Sequence, residues 1–566
     1  MNAMIISSQH GGLQPGLPIG HELVCDLFAG GGGASEGLER AFGHPVHVAI
    51  NHNPVAIAVH RVNHPETRHY ISDVYEVCPR EATAGLPVGH LHASPDCTHH
   101  SQAKGGQPRS AKSRALTWVV KKWAGVARPR CITIENVPQQ MDWGRLVAKR
   151  CPKTGRVVRL DGTVAAKGER VPVREQFLVP CPKHSGRTWK RFVRELNGLG
   201  YQVETRVLSA KDYGVPTSRT RLYAVARRDG RPIVWPSPTH GDPASLPVRA
   251  GRLKPWRMAA ECLDFSKPCH SIFLSKEAAK GLRVKRPLVD ATLARLAAGI
   301  KRFVLEAELP YLHDGTAGLD AAHIVKFRGT SLGHAASEPL PTVTSGAGAN
   351  RPAGAAHALG VVQTRLTPAT RVVHHMEQAN TGLIGHDLRE PMSTVTTTGS
   401  QQRLVATSLA SREEASSDAA SAVYRLLCDH LNARDLALIE PYLRHGPRVR
   451  GQRTGEVAIQ LHGEEMVLTD VGLRMLTPRE LARAMGFEDD YVLDVDADGL
   501  PVPQHRQVAL IGNSVCSAVL EAIVRSNSTD LIHQYQRSGQ YIGRDHEDLQ
   551  HTNSISKEVI QLTTAA

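Results

Sequence analysis

The stretch Asp26-Leu27-Phe28-Ala29-Gly30-Gly31-Gly32-Gly33 closes an apolar run that begins at His21, and a helical pattern follows it over residues 34–42. A strand, a glycine-rich turn and a helix in this order let the backbone approach a nucleotide-like ligand closely. The turn is not a phosphate-binding loop, because no Gly-Lys-Ser/Thr follows it, and it is not a clean dinucleotide fingerprint. We therefore predict a cofactor cradle at the end of the first strand of an α/β fold.

Strands and helices continue to alternate through the first half of the chain. Further strands are predicted at residues 46–50, 91–93, 131–134 and 221–226, and further helices at 54–63 and 192–200. This alternation predicts a doubly wound, mostly parallel sheet covered by helices on both faces. Ligands of such sheets bind at the carboxyl ends of the strands, so motifs at strand ends are expected to be neighbours.

A cysteine follows one of these strands in the polar loop Ser94-Pro95-Asp96-Cys97-Thr98. The turn-forming flanks predict a loop thiol rather than an inert core thiol. Basic residues downstream favour the nucleophilic thiolate, whereas Asp96 opposes it. The alternative is a metal site made by Cys97, His99 and His100, although no second ligand pair has suitable spacing.

The next motifs along the chain are a carboxylate and a pair of arginines. Glu135 ends an apolar run and is interpreted either as part of a capped turn or as a buried acid of raised pKa that protonates a ring nitrogen. Arg219 and Arg221 alternate along a strand as a clamp for an anion or a base edge. Asp73 is either a turn residue or an acceptor for an adenine amino group.

Bulk composition bounds the class of protein. The chain has 566 residues and a net charge of +14, which suggests two or three domains and an anionic partner. Ten scattered cysteines, no secretory signal at the start and no apolar run of membrane length predict a cytoplasmic protein without a membrane segment.

Basic charge is concentrated in two places. Residues 97–134 contain eight Lys or Arg and no acid, and this stretch begins at Cys97, so it is interpreted as a phosphate-binding region. Residues 139–190 contain twelve Lys or Arg against four Asp or Glu, which is a solvated face or a second anion-binding region. Cys151, Cys181 and His184 lie there without a Cys-x-x-Cys pair, which disfavours a zinc knuckle.

We divide the chain into five parts by these changes of pattern. They are an N-terminal arm (1–20), a catalytic domain (21–235), a β-rich region (236–465), a return segment (466–526) and a polar tail (527–566). In the third part Gly333-His334 and Thr342-Val343-Thr344 recur 52 residues later as Gly385-His386 and Thr394-Val395-Thr396. Two copies are too few for a solenoid, so the repeat is a packing unit or part of a recognition module.

Together these motifs resemble the cytosine carbon-5 DNA methyltransferase family of bacteria and their phages over residues 21–230 and 470–525. Residues 26–33 look like its S-adenosylmethionine loop, Pro95 and Cys97 its nucleophile motif with Ser101, Ala103 and Gly105-Gly106, and Glu135-Asn136-Val137 its acid motif. Arg219 and Arg221 match its paired arginines, Arg479-Glu480 its ninth motif and Gly512-Asn513-Ser514-Val515 its tenth.

The resemblance implies a class I S-adenosylmethionine-dependent methyltransferase fold with a second, β-rich recognition domain. It implies that Cys97, Glu135, Arg219 and Arg221 act on a flipped-out cytosine. It also implies a set of residues that bind S-adenosylmethionine, namely Asp26, Phe28, Ala29, Gly30, Gly32, Gly33, Asn51, Asp73, Asn513 and Val515.

The chain departs from the family pattern at Asp96, Thr98, Thr217 and Asn51, where the family usually has proline, glutamine, glutamine and an acid. The expected partner is double-stranded DNA bound by a monomer, with a cognate restriction endonuclease left open. Two alternatives stay open at this point: a catalytically silent DNA-binding relative and an RNA cytosine-5 methyltransferase. No metal is expected.

Overall fold

The structure is a computed structural model. It describes residues 21–97, 100, 110–308, 310–315, 318–321, 323–326, 334–335, 342–344, 359–361, 370–378, 389, 395–396, 402–411, 417–449, 451–461 and 464–537. The predicted arm 1–20 lies outside these residues. So do Thr98, His99, Ser101, Ala103, Gly105 and Gly106 of the predicted nucleophile loop.

The first five strands form one parallel sheet in the spatial order β3-β2-β1-β4-β5. They are β1 (Leu23–Leu27), β2 (Val48–Asn51), β3 (Arg68–Ile71), β4 (Val88–Ala93) and β5 (Cys131–Asn136). The helices between them are α1 (Gly33–Phe42), α2 (Pro54–Asn63), α3 (Pro79–Ala82), α4 (Ala111–Arg114) and α5 (Val119–Val126). β1, β4 and β5 are buried along their whole length, as strands covered on both faces must be. The predicted mostly parallel sheet is confirmed.

After β5 the chain forms a hairpin and then completes the sheet. These elements are β6 (Leu146–Ala148), β7 (Leu178–Pro180), α6 (Arg187–Gly198), β8 (Gln202–Ser209) and β9 (Thr220–Arg227). β9 lies between β5 and β8 and is antiparallel to both. The two arginines come at the beginning of this strand, as the predicted strand 221–226 placed them, but its antiparallel direction was not predicted. Because β9 is antiparallel, its beginning lies at the carboxyl edge of β5, where Asn136 pairs with Leu222.

The region expected to be β-rich contains fifteen of the described strands. They are β10 (His240–Gly241), β11 (Lys254–Pro255), β12 (His270–Ser271), β13 (Leu312–Gly315), β14 (Gly318–Ala321), β15 (His323–Lys326), β16 (His334–Ala335), β17 (Thr342–Thr344), β18 (Leu359–Val361), β19 (Thr370–Gln378), β20 (Val395–Thr396), β21 (Gln402–Ser411), β22 (Leu443–His445), β23 (Gly455–Leu461) and β24 (Glu464–Met475). Nine of these form a second sheet, which extends through β24 beyond the expected boundary at 465. The threonine-containing strands of the repeat, β17 and β20, pair with each other.

Helices are interspersed with these strands. They are α7 (Leu246–Arg249), α8 (Lys276–Gly281), α9 (Asp290–Ile300), α10 (Ser417–His430) and α11 (Ala433–Ile439). α10 lies against β23 and β24, and Val423 and Leu427 on its inner face are completely buried. The second sheet is thus mixed, and its buried residues belong to an apolar cluster that also includes Ala56 of α2 and Val225 of β9.

Three helices return the chain to the first sheet: α12 (Pro478–Ala484), α13 (Gln504–Asn513) and α14 (Ser517–Asn527). α12 begins with a capping box, in which Glu480 N donates to Thr477 Oγ1 at 3.4 Å and Thr477 N donates to Glu480 Oε2 at 2.7 Å. α14 packs on α1. Residues Gln504–Asn527 are apolar and long enough to cross a membrane, but 72% of their most apolar window is buried inside the protein, so they are weak evidence for a span.

The polar tail expected from residue 527 is wrong for its first part, because α15 (Thr529–Arg537) packs on the sheet. Leu531, Ile532 and Tyr535 are buried, at the spacing of one helical face. The Tyr535 ring stacks on His44, with centroids 4.6 Å apart, and its hydroxyl donates to the Glu22 carbonyl. Residues 538–566 lie outside the described chain.

Candidate active site

The glycine-rich turn lies across the ends of β1 and β2. Phe28, Gly30 and Gly32 all have positive φ, with values of 63°, 58° and 99°. A positive φ is rare for an aromatic residue, so the surroundings must hold Phe28 in place. Ala29 N donates to Ile50 O at 3.1 Å and so fixes the turn to the neighbouring strand.

This turn fits the cofactor that the resemblance implies. A Cβ on Gly30 would meet nothing nearer than Phe28 O at 3.8 Å, so this side of the turn faces open space. Asn51 at the end of β2 and Asp73 after β3 flank the turn and carry hydrogen-bonding groups suited to hydroxyl and amino groups. Asn51 Oδ1 accepts from Asn53 N at 2.9 Å, and Asp73 Oδ1 accepts from Tyr75 N at 3.0 Å, which leaves each with further capacity.

Gly32 and Gly33 are required for a different reason, because a side chain at either position would clash with the return segment. A Cβ on Gly33 would lie 1.8 Å from Ser514 Oγ, and one on Gly32 would lie 2.0 Å from Tyr491 Oη. Tyr491 also donates to Gly31 O at 2.6 Å. The return segment therefore closes directly over the back of the turn.

We expect Gly33→Ala to destabilise the fold by about 1–3 kcal/mol, because the methyl group overpacks a contact with the return segment that includes the Val515 backbone. Gly125→Ala in α5 is the matched control, since nothing lies within 4 Å of its Cβ position. Urea unfolding of both variants measures the difference. Equal midpoints for the two variants would contradict the assigned role of Gly33.

Asp26 lies behind the turn rather than on its open side. Its carboxylate is completely buried and accepts a hydrogen bond from Ser35 Oγ at 2.8 Å. Burial raises the pKa of Asp26 to about 7, although the Ser35 hydrogen bond opposes the shift. This position suits a residue that supports the turn from inside.

The Cys97 loop is tied to both neighbouring motifs. Ser94 N donates to Leu27 O at 3.2 Å, which joins the loop to the glycine turn. Asn136 Nδ2 donates to Pro95 O at 2.9 Å, which joins it to the end of β5. Cys97 itself is partly exposed. The loop that carries Cys97 is thus held between the end of β1 and the end of β5, which carries Glu135.

Glu135 and the two arginines form one buried charged cluster. Arg221 Nε lies 3.0 Å from Glu135 Oε1, and Arg219 Nη2 lies 3.7 Å from the same oxygen. Arg219 also donates to Ser514 O at 2.8 Å and to Gly512 O at 3.3 Å. The cluster therefore connects the acid motif to the return segment.

The same charges act on the Cys97 thiol. Burial raises its pKa to about 11, with Asp96 and Glu135 adding to the rise and Arg221 and Arg219 opposing it. At pH 7 only about one thiol in ten thousand is then ionised. The thiol of the free protein is therefore neutral at neutral pH and needs activation.

Alkylation of Cys97 by iodoacetamide should accelerate about tenfold per pH unit between pH 7 and 10, because only the thiolate reacts. Arg221→Gln should slow the reaction at any pH in this range, since it removes a charge that lowers the thiol pKa. Mass spectrometry of the Cys97 peptide measures the rate separately from the other cysteines. A rate that levels off near pH 8 would contradict the raised pKa.

The two cofactor residues expected in the return segment have different positions. Asn513 is exposed at the end of α13, whereas Val515 is buried in a core cluster that also contains Ala34 and Leu38. Sequence reasoning missed two site residues. Asn136 was quoted only as part of a motif, although its side chain holds the nucleophile loop. Tyr491 lies in no motif that could have revealed it.

Of the two metal alternatives, the one at Cys97 needs His99, which lies outside the described residues, and the zinc knuckle has only two of its three residues together. Cys181 Sγ lies 3.1 Å from His184 Nδ1, but Cys151 lies beyond the other end of the hairpin formed by β6 and β7. Among the residues that the structure describes, one group could hold a metal ion, and it consists of Glu36, Glu39 and His64 without a cysteine. Glu39 Oε2 already pairs with His64 Nδ1 at 2.9 Å.

Comparison with known proteins places these motifs in a family. The family model described as C-5 cytosine-specific DNA methylase matches residues 23–145, 181–253 and 372–528, which is more than half of the chain. The Type II methyltransferase M.AquIA of Picosynechococcus is 25% identical over 279 residues, which cover 47% of this chain and 96% of that protein. M1.HphI of Haemophilus parahaemolyticus is 27% identical over 224 residues, and these cover 38% of this chain and about half, 48%, of the relative.

Solved structures give a weaker match. The methyltransferase EhMeth of Entamoeba histolytica aligns with 90% of this chain and 99% of its own at 12% identity and a TM-score of 0.40. The Dnmt2 methyltransferase of S. pombe aligns with 91% of this chain and 99% of its own at 14% identity and a TM-score of 0.39. We therefore assign the fold from the strand order of this chain and not from these alignments.

Proposed function

We propose, from the premise that the chain belongs to the C-5 cytosine-specific DNA methylase family, that it is a DNA (cytosine-5-)-methyltransferase using S-adenosylmethionine. One observation carries the proposal: the Cys97 loop is bonded both to the glycine turn and to the strand that ends in Glu135. A nucleophile, an acid and a cofactor cradle at one edge of the sheet are what this reaction needs.

The cytosine must leave the duplex first, at a cost of a few kcal/mol, because a stacked ring is inaccessible. The Cys97 thiol loses its proton to water, and the thiolate adds to carbon 6 as the ring's 5,6 double bond opens, while Glu135 in its protonated form delivers a proton to nitrogen 3. Carbon 5 becomes electron-rich and would take the methyl group from the cofactor. Loss of the carbon 5 proton to water, return of the nitrogen 3 proton to Glu135 and expulsion of Cys97 as a thiolate restore the double bond.

The arginines of the charged cluster prepare the Cys97 thiol and the Glu135 carboxyl for these reaction steps. Arg221 and Arg219 oppose the rise in the pKa of Cys97. A bound cytosine that displaces water from the site strengthens their effect on the sulfur, because charges interact more strongly where water is excluded. Bound S-adenosylmethionine supplies an activated methyl group beside the strand ends. The cofactor would be held from the open side of the turn by Phe28, Ala29, Gly30, Asn51 and Asp73. The turn would be shaped from behind by Gly32, Gly33, Asp26 and Val515.

The remaining parts take roles that the family suggests. The β-rich region 236–465 would read the target sequence in the duplex grooves. The relatives M.AquIA and M1.HphI are named Type II methyltransferases, which supports a role in restriction–modification or in protecting phage DNA. We infer that the enzyme is monomeric and cytoplasmic. A partner endonuclease would be identified from the genes next to the gene of this protein.

Transfer of labelled methyl groups tests the proposal. Purified protein and labelled S-adenosylmethionine are incubated with mixed-sequence duplex DNA and, separately, with RNA. Label in DNA is the expected result. Label in RNA alone would replace the proposal by the RNA methyltransferase, and folded protein that labels neither would favour the silent relative. Bisulfite sequencing of DNA from an expressing host then identifies the target site.

A further inference from the structure

Residues 146–180, called the inserted arm from here on, are an addition to the family pattern. They fall between the matched stretches 23–145 and 181–253. The arm begins with β6 and ends with β7, which pair as an antiparallel hairpin. The arm is therefore not part of the pattern that defines the family.

The arm is a folded unit rather than a loose loop. Isolated bridges join Arg150 to Val157, Val158 to Val164 and Arg159 to Gln176. Its own small core contains Val158, Ala165 and Val171, all of which are buried. A folded unit can hold its surface charges in fixed positions.

The surface of the arm carries positive charge that the arm does not neutralise. It contains eight Lys or Arg and three Asp or Glu. The acids are occupied: Glu169 pairs with Arg159, Glu175 pairs with Arg174, and Asp161 accepts from Thr163 N at 2.8 Å. Six cations have no carboxylate within 4 Å in the part of the chain that the structure describes: Lys149, Arg150, Lys153, Arg156, Lys167 and Arg170.

The base of the arm is attached beside the nucleophile. Trp143, three residues before the arm, is buried, and its ring centroid lies 5.8 Å from that of His100 in the Cys97 loop. Arg114 Nη2 donates to Gly144 O at 3.5 Å from the far side of the same loop. The arm thus leaves the protein at the edge of the sheet where Cys97 and Glu135 lie.

We propose that the inserted arm binds the phosphates of duplex DNA next to the target cytosine. The inference rests on the proposed function, because it takes DNA as the substrate that Cys97 reaches. A duplex carries about one negative charge per 1.7 Å of its axis, so unneutralised cations on a folded unit that is attached near the nucleophile loop match its charge. Contacts to phosphates position the duplex without reading its sequence. The arm therefore raises affinity for all DNA sequences alike.

The test is the salt dependence of DNA binding by the full-length protein. In Lys153→Gln/Lys167→Gln/Arg170→Gln three exposed cations become neutral, and the slope of log affinity against log salt should fall by about 0.9 for each lost phosphate contact. Arg61→Gln/Arg80→Gln/Arg537→Gln is the control, since it removes the same charge from exposed positions on α2, α3 and α15. Its slope should match that of the wild type. Urea unfolding establishes that both variants fold.

Each outcome decides the question. A reduced slope in the arm variant alone, for target and non-target duplexes equally, supports the inference. If the wild type methylates DNA and the arm variant keeps its slope, the arm is not a DNA contact although the proposed function stands. A slope reduced for RNA but not for DNA also overturns the inference. A wild type that neither binds nor methylates DNA overturns the proposed function and the inference together.

Discussion

Replacement of Cys97 by serine is expected to reduce methyl transfer to DNA at least about 10³-fold, equivalent to roughly 4 kcal/mol of transition-state stabilisation. The reason is that a serine hydroxyl is a far weaker nucleophile than a thiolate for addition to carbon 6. Binding of S-adenosylmethionine should stay within about tenfold of the wild type, because the cradle lies on other residues. Initial rates with labelled cofactor and equilibrium binding measure the two effects.

Cys78→Ser is the matched control for this prediction. Cys78 is also a partly exposed free cysteine, but it precedes α3 and lies in none of the four motifs. A second readout is covalent capture by duplex DNA that contains a mechanism-based cytosine analogue. The wild type and Cys78→Ser should form the adduct, and Cys97→Ser should not. An adduct formed by Cys97→Ser would show that another residue is the nucleophile.

Replacement of Glu135 by glutamine should change two measurements in opposite directions. Methyl transfer should fall by about 10²–10⁴-fold, because glutamine cannot deliver a proton to nitrogen 3. Alkylation of Cys97 at pH 8 should instead become faster, since the Glu135 charge helps to raise the thiol pKa. Assays of methyl transfer and of peptide alkylation on the same preparation measure both effects.

Asp96→Asn separates the effect of negative charge on the thiol pKa from the delivery of a proton by Glu135. Asp96 also raises the pKa of Cys97, but it is exposed and is not the proposed proton donor. We expect faster alkylation in this variant while methylation persists. If Glu135→Gln loses no more activity than Asp96→Asn, Glu135 acts only through the electrostatics of the thiol. A fall in alkylation with Glu135→Gln would instead indicate that the site has rearranged.

Local sequence predicted the parts whose structure depends on near neighbours. The helix over residues 54–63 was predicted with the bounds that α2 has, because Asn53 caps it and Pro54 begins it. The capping box of Thr477 and Glu480 is likewise a local feature, because its two residues are only three positions apart. Buried strands such as β1 and β5 were visible as apolar runs, since strands covered on both faces have no polar alternation.

Other features depend on partners far away in the chain, and the pattern gave them wrongly or not at all. α15 was expected to be part of a polar tail; Leu531, Ile532 and Tyr535 do have the spacing of one helical face, but the contacts of this helix with His44 and Glu22 join segments that are distant in the chain. The need for glycine at position 33 was assigned to a ligand, whereas the atom in the way is Ser514 Oγ from the return segment. The contact with Ser514 leaves no signal at the spacing of a strand or a helix.

The sequence by itself determined which chemical groups are present and which strand each one follows, since apolar periodicity and turn residues act over a few positions. Only the tertiary structure decided that β9 runs antiparallel, so that Arg221 lies 3.0 Å from Glu135 and their shared field acts on Cys97. It also decided that the inserted arm is attached beside the nucleophile. Strand direction and charge coupling depend on contacts between distant segments, and the free energy of those contacts is set by packing in three dimensions.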